Sequence, residues 1–143
     1  MTAKQLIGKI NRLGSVIPNW VDQAIKSVEN EIVDRNVAQM EKLGEDSMGR
    51  SFGSYESDSY REQKAALGLE SRFINLHFEG DFHSKMDIEV SGGGVRIWSN
   101  DEKNDLLVKE WGEEIFGLNK ANMNWLFDHV YEYLFDKLRT YFV

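Results

Sequence analysis

The sequence predicts an α+β fold in which two long helices pack on a small antiparallel sheet, with a long loop or arm between helix and strands. Apolar residues recur at helical spacing near both ends of the chain. Between these stretches lie segments in which apolar and polar residues alternate, as in β-strands. A run rich in Gly, Ser, Tyr and charged residues separates the first stretch from the alternating segments. Helices that flank a block of adjacent strands are typical of α+β domains.

The length and composition predict one globular domain over residues 1–143. The chain is 41% hydrophobic and contains no cysteine. A chain of this size buries a core without disulfides, and thiolate zinc sites are excluded. Charged and polar residues interrupt the amino-terminal apolar pieces, and no segment reaches the roughly 20 apolar residues of a spanning helix. We therefore expect a cytoplasmic protein without a membrane partner.

The first long helix is expected over about residues 19–43. Pro18 is tolerated at a helix start but not inside a helix, and Gly44 supplies the left-handed residue that ends one. A short helix from Lys4 to Leu13, closed by Gly14, precedes it. The apolar residues with helical spacing are Val21, Ile25, Val28, Ile32, Val33, Val37 and Met40.

Residues 44–71 are predicted to form an arm without regular structure. They read GEDSMGRSFGSYESDSYREQKAALGLES, a composition of small, polar and charged residues with two tyrosines. Loops of this length within a compact domain are usually functional arms, lids or linkers. We therefore expect this segment to have a role in binding or assembly.

Strands are expected over about residues 73–99. The first alternates Phe73, Asn75 and His77 with Ile74, Leu76 and Phe78. Two further strands flank the sequence SGGG, whose glycines supply the positive backbone angles of a hairpin turn. Their alternating apolar residues are Met86, Ile88, Val90, Val95 and Ile97.

Two helices follow the hairpin. A short helix over about 101–111 is capped by Asn100 or Asp101 and ends at Gly112. A long helix over about 120–142 begins at Asn119 or Lys120. Its apolar stripe, which we expect to pack against the first long helix, comprises Met123, Leu126 or Phe127, Val130, Leu134, Leu138 and Tyr141.

The polar residues predict neither a catalytic nor a metal or cofactor site. His77, Glu79, Asp81 and His83 alternate as metal ligands on one strand would, but Gly80 breaks that strand and the spacing matches no established ligand pattern. A turn with polar residues is the favoured interpretation. No cysteine nucleophile or serine elbow is present, and adjacent carboxylates point apart on a helix. We therefore expect a protein that is not an enzyme.

The net charge of -7 argues against a surface that grips nucleic acid, because phosphates are repelled by it. Solubility is one explanation of this acidity, and a surface that faces DNA without holding it is another. The aromatic residues also exceed what a small core needs, which favours a protein interface. The alternative is that most of them are buried with polar tips at the surface. The surplus comprises Phe52, Tyr55, Tyr60, Trp98, Trp111, Phe116 and Trp125.

From about residue 32 to the carboxyl terminus, the sequence resembles the virion-morphogenesis or tail-completion proteins that join head to tail in tailed bacteriophages. A helix followed by G-x-D-S-x-G opens the pattern, and two tyrosines and a lysine follow. Next come a hydrophobic-Asn-Leu segment and a helix that ends in an aromatic-glycine pair. The matching residues are Gly44, Asp46, Ser47, Gly49, Tyr55, Tyr60, Lys64, Ile74, Asn75, Leu76, Gly80, Phe82, Ser84, Met86, Trp111, Gly112 and Ile115 to Leu118.

The resemblance implies a structural neck subunit of the virion, assembled as a ring in the host cytoplasm. Its partners would be copies of itself and neighbouring neck or tail proteins, with DNA passing through the ring without specific binding. Residues 44–71 would then be an assembly arm that becomes ordered against the adjacent subunit. A stand-alone binding protein that uses the aromatic loop, such as an inhibitor or host-interaction factor, is the alternative. The candidate interface residues are Phe52, Tyr55, Tyr60, Lys64 and Trp111.

Overall fold

The computed structural model describes residues 1–77 and 80–143, which form an α+β fold as the sequence predicts. A π-helical turn (Gln39–Leu43) continues the second helix, and a 3-10 turn (Glu113–Ile115) follows the fifth. None of the helices in these ranges combines the length and apolar composition that a membrane crossing requires. The elements are α1 (Ala3–Lys26), α2 (Glu29–Ala38), α3 (Asp58–Ala66), α4 (Asp81–Ser84), β1 (Met86–Ser91), β2 (Gly94–Ser99), α5 (Asn104–Trp111) and α6 (Lys120–Tyr141).

Helix α1 runs through Pro18, so the prediction that a helix begins there is wrong. A proline inside a helix removes the hydrogen bond to the carbonyl four residues earlier, here that of Gly14. Both residues are exposed, and solvent can therefore satisfy this carbonyl. Packing on α6 favours the continuous helix, because Lys9 Nζ donates to the Tyr141 carbonyl and the Trp20 ring contacts the Tyr141 ring.

The helix predicted over about 19–43 is divided into the end of α1, α2 and the π turn. The first break follows Ser27, whose hydroxyl donates to the Ala24 carbonyl at 2.6 Å. Val28 then leaves the helical region with φ -125°. Side-chain bonds of this kind compete with the helical pattern. Gly44 ends the π turn in the left-handed conformation, with φ 61°, as predicted.

The sheet is the predicted hairpin of β1 and β2, which pair antiparallel with Met86 opposite Ser99. Gly92 and Gly93 connect the strands with φ 58° and 76°. Two successive positive φ angles match the right-handed twist of the strands, which explains why glycines occupy the turn. β1 packs against α1 and α2.

Residues 73–77 do not form the predicted strand. Leu76 has φ 60°, which is incompatible with extended backbone. Side-chain bonds replace the strand ladder here, because Asn75 Oδ1 accepts from the His77 amide at 3.1 Å. Phe78, the last residue of the predicted alternation, lies outside the described residues.

Residues 44–71 are folded onto the rest of the chain, which corrects the expectation of an arm without regular structure. Ser57 caps α3 by accepting from the Tyr60 amide. The segment also buries Asp46, Phe52 and Lys64. Asp46 accepts hydrogen bonds from two amides of its own loop, so the loop conformation is fixed locally.

The two later helices agree with the prediction at three of their four ends. α5 begins at Asn104, later than predicted, because the Asp101 carboxylate accepts from the Lys103 amide and holds a turn before the helix. It ends at Gly112 as predicted. α6 is capped by Asn119 and ends within one residue of the predicted position.

The buried apolar residues form two clusters. The helix–hairpin cluster unites α1, α2, β1 and α6, and it places Leu126 and Val130 with the predicted stripe of the first helix. Phe127 points outward, with 51% of its surface exposed. The loop cluster lies under residues 44–77, α4 and α5. Its buried members are Met40, Phe52, Phe82 and Ile115, and those of the helix–hairpin cluster are Ile25, Ile32, Val90 and Leu126.

Candidate functional site

The five candidate interface residues lie together. The Phe52 and Trp111 rings are 5.3 Å apart in an edge-to-face contact, and the Tyr55 and Tyr60 rings are 5.1 Å apart. Lys64 Nζ donates to Tyr55 Oη. Phe52 and Lys64 are buried, so they offer little surface to a partner. The other three line a cleft of about 430 Å³ with Lys64 at its wall.

Lys64 is the most unusual of these residues, because its side chain is only 1% exposed. Its ammonium donates to two neutral acceptors, Tyr55 Oη and Asn75 Oδ1. Burial lowers the pKa of Lys64 below its ordinary value, although the charge of Glu70 opposes this shift. Burial also raises the pKa of the Tyr55 phenol. Hydrogen bonds offset part of the cost of burying a cation, and these two acceptors take two of the three N–H groups of the ammonium.

Asn75 connects Lys64 to a second polar group. Its Oδ1 accepts from Lys64 Nζ at 3.0 Å and from the His77 amide at 3.1 Å. Its amide nitrogen donates to the Glu41 carbonyl at 3.4 Å. A single buried amide therefore fixes the position of α3 relative to the π turn and to the backbone of His77.

The second polar group consists of Glu41, His77 and His83. Glu41 Oε1 lies 2.6 Å from His77 Nδ1 and 2.9 Å from His83 Nδ1. The two imidazole rings meet edge to face, with centroids 5.4 Å apart. His83 is buried, and its Nε2 has no hydrogen-bond partner among the described residues. One carboxylate oxygen thus serves both rings, and one ring nitrogen is left unsatisfied.

The ionisation of this group follows from its burial and its hydrogen bonds. Burial lowers the pKa of the His83 imidazole, and this effect exceeds the opposite effect of the Glu41 carboxylate. Burial alone would raise the pKa of Glu41, but its hydrogen bonds with His83 and His77 outweigh that effect and lower the pKa. At neutral pH a neutral His83 therefore faces an ionised Glu41.

Three backbone irregularities hold these side chains. Glu41 lies in the π turn. Leu76, directly before His77, is the non-glycine residue with positive φ in the described chain. Gly80, with φ 86°, caps the short helix α4 that carries His83. Left-handed backbone at a leucine costs about 1 kcal/mol or more, and such strain is concentrated at functional sites. π turns are also frequent at functional sites.

The sequence analysis named two members of this group and missed the third. It considered His77 and His83 with Glu79 and Asp81, of which Glu79 lies outside the described residues. Asp81 is exposed and does not belong to the group. Glu41 is remote in sequence and reaches the histidines only through the π turn. No spacing pattern within one strand reveals such a residue.

A row of exposed apolar residues runs along α6 at intervals of four residues. Side chains four apart on a helix lie on one face, so these form a continuous ridge. An acidic row lies beside it, because Asp128, Glu132 and Asp136 each follow one of its members. The α6 row comprises Met123, Phe127, Tyr131 and Phe135, which are 38–59% exposed.

A second apolar patch lies on the first turns of α1. Leu6, Ile7 and Ile10 are 39–58% exposed. Lys4 and Lys9 flank these residues around the helix, Arg12 lies on the opposite face, and no acidic residue occurs within residues 3–21. The α1 patch is thus apolar with a basic border, whereas the α6 row is apolar with an acidic border.

No family model, curated protein or solved structure matches the chain.

Proposed function

We propose that this protein is a structural subunit of a tailed-bacteriophage neck, a tail-completion or head–tail connector protein that assembles as a ring. The observation that carries the proposal is the α6 row. Four large apolar side chains on one helix face, each more than a third exposed, form the kind of contiguous patch that marks a protein interface. The resemblance of the sequence to neck proteins gives this interface its context.

The occupant of the α6 row is the α1 patch of a second copy. Both surfaces are apolar at the centre, and their borders carry opposite charges. The two surfaces lie on different helices, so their contact joins unlike faces of identical subunits. A contact of this head-to-tail kind generates a ring when the rotation between subunits closes.

The acidic charge fits a ring around DNA. With a net charge of -7, the subunit repels phosphate and lets the duplex pass without specific binding. The subunit acts in the virion after assembly in the host cytoplasm, beside other neck or tail proteins. It has a structural and not an enzymatic role.

A second candidate function is a stand-alone protein-binding module. The cleft of about 430 Å³ favours it, because Tyr55, Tyr60 and Trp111 line a concave surface that suits an apolar side chain of a partner. This module would act as a monomer and would be absent from virions.

Sedimentation velocity over a range of protein concentrations tests the proposed ring. Phe127→Asp is expected to weaken self-association at least tenfold, because a charge would replace a central apolar contact. Leu106→Asp is the matched control, since Leu106 is 63% exposed on α5 and outside both patches. Equal self-association of the parent and Phe127→Asp would contradict the proposal.

Charge reversal tests the pairing of the two surfaces. The α1 variant Lys4→Glu/Lys9→Glu and the α6 variant Asp128→Lys/Glu132→Lys should each associate poorly alone. Their equimolar mixture should associate again, because every α1 patch then meets an α6 row of opposite charge.

Electron microscopy of purified virions separates the two functions, since a binding module would leave no density at the neck.

A further inference from the structure

We propose that Glu41, His77 and His83 bind a divalent transition-metal ion, for which Zn²⁺ is the best match. One ligand atom from each residue lies within 4.8 Å of those from the other two. Two imidazoles and one carboxylate form a donor set typical of zinc and of other first-row divalent ions. This site differs from the sequence-based expectation of a turn without metal, and it is independent of the proposed ring.

The distances suit an ion after small side-chain movements. Ligand atoms about 2.1 Å from a tetrahedral zinc ion lie about 3.4 Å from one another. The two contacts of Glu41 Oε1 are 2.6 and 2.9 Å, so each must lengthen by about 0.5–0.8 Å. Rotation of the Glu41 carboxylate, which is one-third exposed, would lengthen these contacts, and rotation of the imidazoles would bring their ligand atoms, now within 4.8 Å of each other, to the same spacing.

In the hydrogen-bonded arrangement, the two imidazoles share one acceptor. His77 Nδ1 and His83 Nδ1 both contact Glu41 Oε1. An ion bound between the three side chains would give both Nδ1 atoms and the carboxylate oxygen a common partner. Coordination would place a positive charge between the carboxylate and the rings.

The backbone holds the three side chains in place before any ligand arrives. The π turn supplies Glu41, the left-handed Leu76 directs His77, and the left-handed Gly80 opens the helix that carries His83. Asn75 fixes the His77 amide from the other side. Four separate local structures therefore converge on one point, which is the preorganisation that a metal site requires.

The ion would link the π turn to His77 and to helix α4. With three protein ligands, a tetrahedral ion keeps one open position, as in sites that bind water or an exogenous ligand. His77 lines both the cleft with Tyr55 and Trp111 and a second cleft along α2 and β1. All three ligands line the second cleft, so the open position would face a water molecule or a nitrogen or oxygen donor within it.

Isothermal titration calorimetry with ZnCl₂ on protein freed of metal by chelation tests the site. One equivalent of Zn²⁺ is expected to bind the parent. Glu41→Gln and His83→Ala should each weaken binding by about 100-fold, because even residues that only support metal ligands contribute 10–100-fold to affinity. His129→Ala should bind like the parent, because His129 contacts Ser27 and Ala24 and is separate from the group.

Two further measurements guard against a variant that fails to fold. Zn²⁺ should raise the melting temperature of the parent and of His129→Ala, but not that of His77→Ala, whose replaced side chain is only partly buried. In ¹H–¹⁵N spectra of the parent imidazoles, Zn²⁺ should shift the resonances of His77 and His83 and leave those of His129 unchanged. Binding below 0.1 equivalent, on the order of background, or equal shifts at all three histidines would overturn the proposal.

Discussion

The two apolar clusters are built in different ways. The helix–hairpin cluster joins regular helices and a regular hairpin through side chains that follow helical and strand periods. The loop cluster lies beneath a π turn, short helices and irregular segments, and buried polar residues surround it. Asn36 connects the two, because its side chain bonds the Ile115 carbonyl and the Gly117 amide.

The two clusters therefore have different roles. The helix–hairpin cluster stabilises the fold, and the loop cluster positions polar side chains. Regular packing maximises burial and leaves few polar groups to satisfy, so the helix–hairpin cluster is suited to hold the fold. Irregular backbone directs individual side chains into positions that a regular element does not reach. The loop cluster accordingly carries the buried Lys64 and the group of Glu41, His77 and His83.

The largest expected effect lies in the helix–hairpin cluster. Ile32→Ala should lower the free energy of unfolding by about 3 kcal/mol, since Ile32 is 1% exposed and its truncation leaves a cavity. Urea denaturation followed by circular dichroism measures the change. Leu106→Ala, at an exposed apolar position, should cost less than about 0.5 kcal/mol. Equal losses in the two variants would refute the role given to this cluster.

A smaller effect is expected where the π turn ends. Gly44→Ala places a methyl group 2.5 Å from Phe73 Cδ2 and 2.9 Å from the Ile74 carbonyl, and φ is 61°. Gly49→Ala is the matched control, with φ 76° and no atom within 4 Å. The left-handed backbone costs both variants about 1 kcal/mol. Only Gly44→Ala adds a clash, so its unfolding free energy should fall further by about 1 kcal/mol or more.

Identical losses in the two glycine variants would show that the π turn tolerates movement of Phe73. The loop cluster would then be less tightly fixed than its contacts indicate. Denaturant titrations of both variants under the same conditions decide the matter.

The smallest effect concerns an exposed ion pair in residues 44–77. Hydrogen bonds from Arg72 lower the pKa of Glu70 from 4.5 to about 2. A lowered folded-state pKa stabilises the fold above the ordinary value, and this contribution disappears as the pH falls from about 4.5 to about 2. Arg72→Ala should raise the Glu70 midpoint from about 2 towards 4.5 in a carboxyl-carbon titration, but not fully to 4.5, because the backbone amides of residues 71 and 72 still donate to the carboxylate. The melting temperature at pH 7 should hardly change, because exposed pairs contribute little.

The regular elements were predictable because local patterns determine them. The glycines of SGGG, the end of α5 at Gly112 and the cap at Asn119 each depend on neighbouring residues only. The helix–hairpin cluster followed from apolar periodicity in the same way. Pro18 was misread because packing of both halves of α1 on α6 outweighs a single lost helical bond.

The candidate site was less predictable because tertiary contacts determine it. Residues 73–77 alternate like a strand, yet bonds from the Asn75 side chain direct the backbone elsewhere. The sequence predicts Lys64 as an interface residue, and only its contacts with Tyr55 and Asn75 explain its burial. Glu41 could not be associated with the histidines, since more than thirty residues separate it from His77.

The π turn also changes the direction in which side chains point around the helix axis, so residues after the turn do not continue the faces of α2. Each residue of an α-helix turns the chain by about 100°, and a π turn corresponds to one extra residue in the spiral. Ile32 and Met40 lie in different clusters, because eight α-helical positions already rotate a side chain by about 80°, and residues after the π turn are shifted further. Deletion of Met40, directly before Glu41, would shorten the π turn by one residue and rotate Glu41 by about 100°, away from both histidines. We therefore expect the deletion of one residue at the turn to displace Glu41 from the site, whereas most single substitutions nearby would leave its direction unchanged.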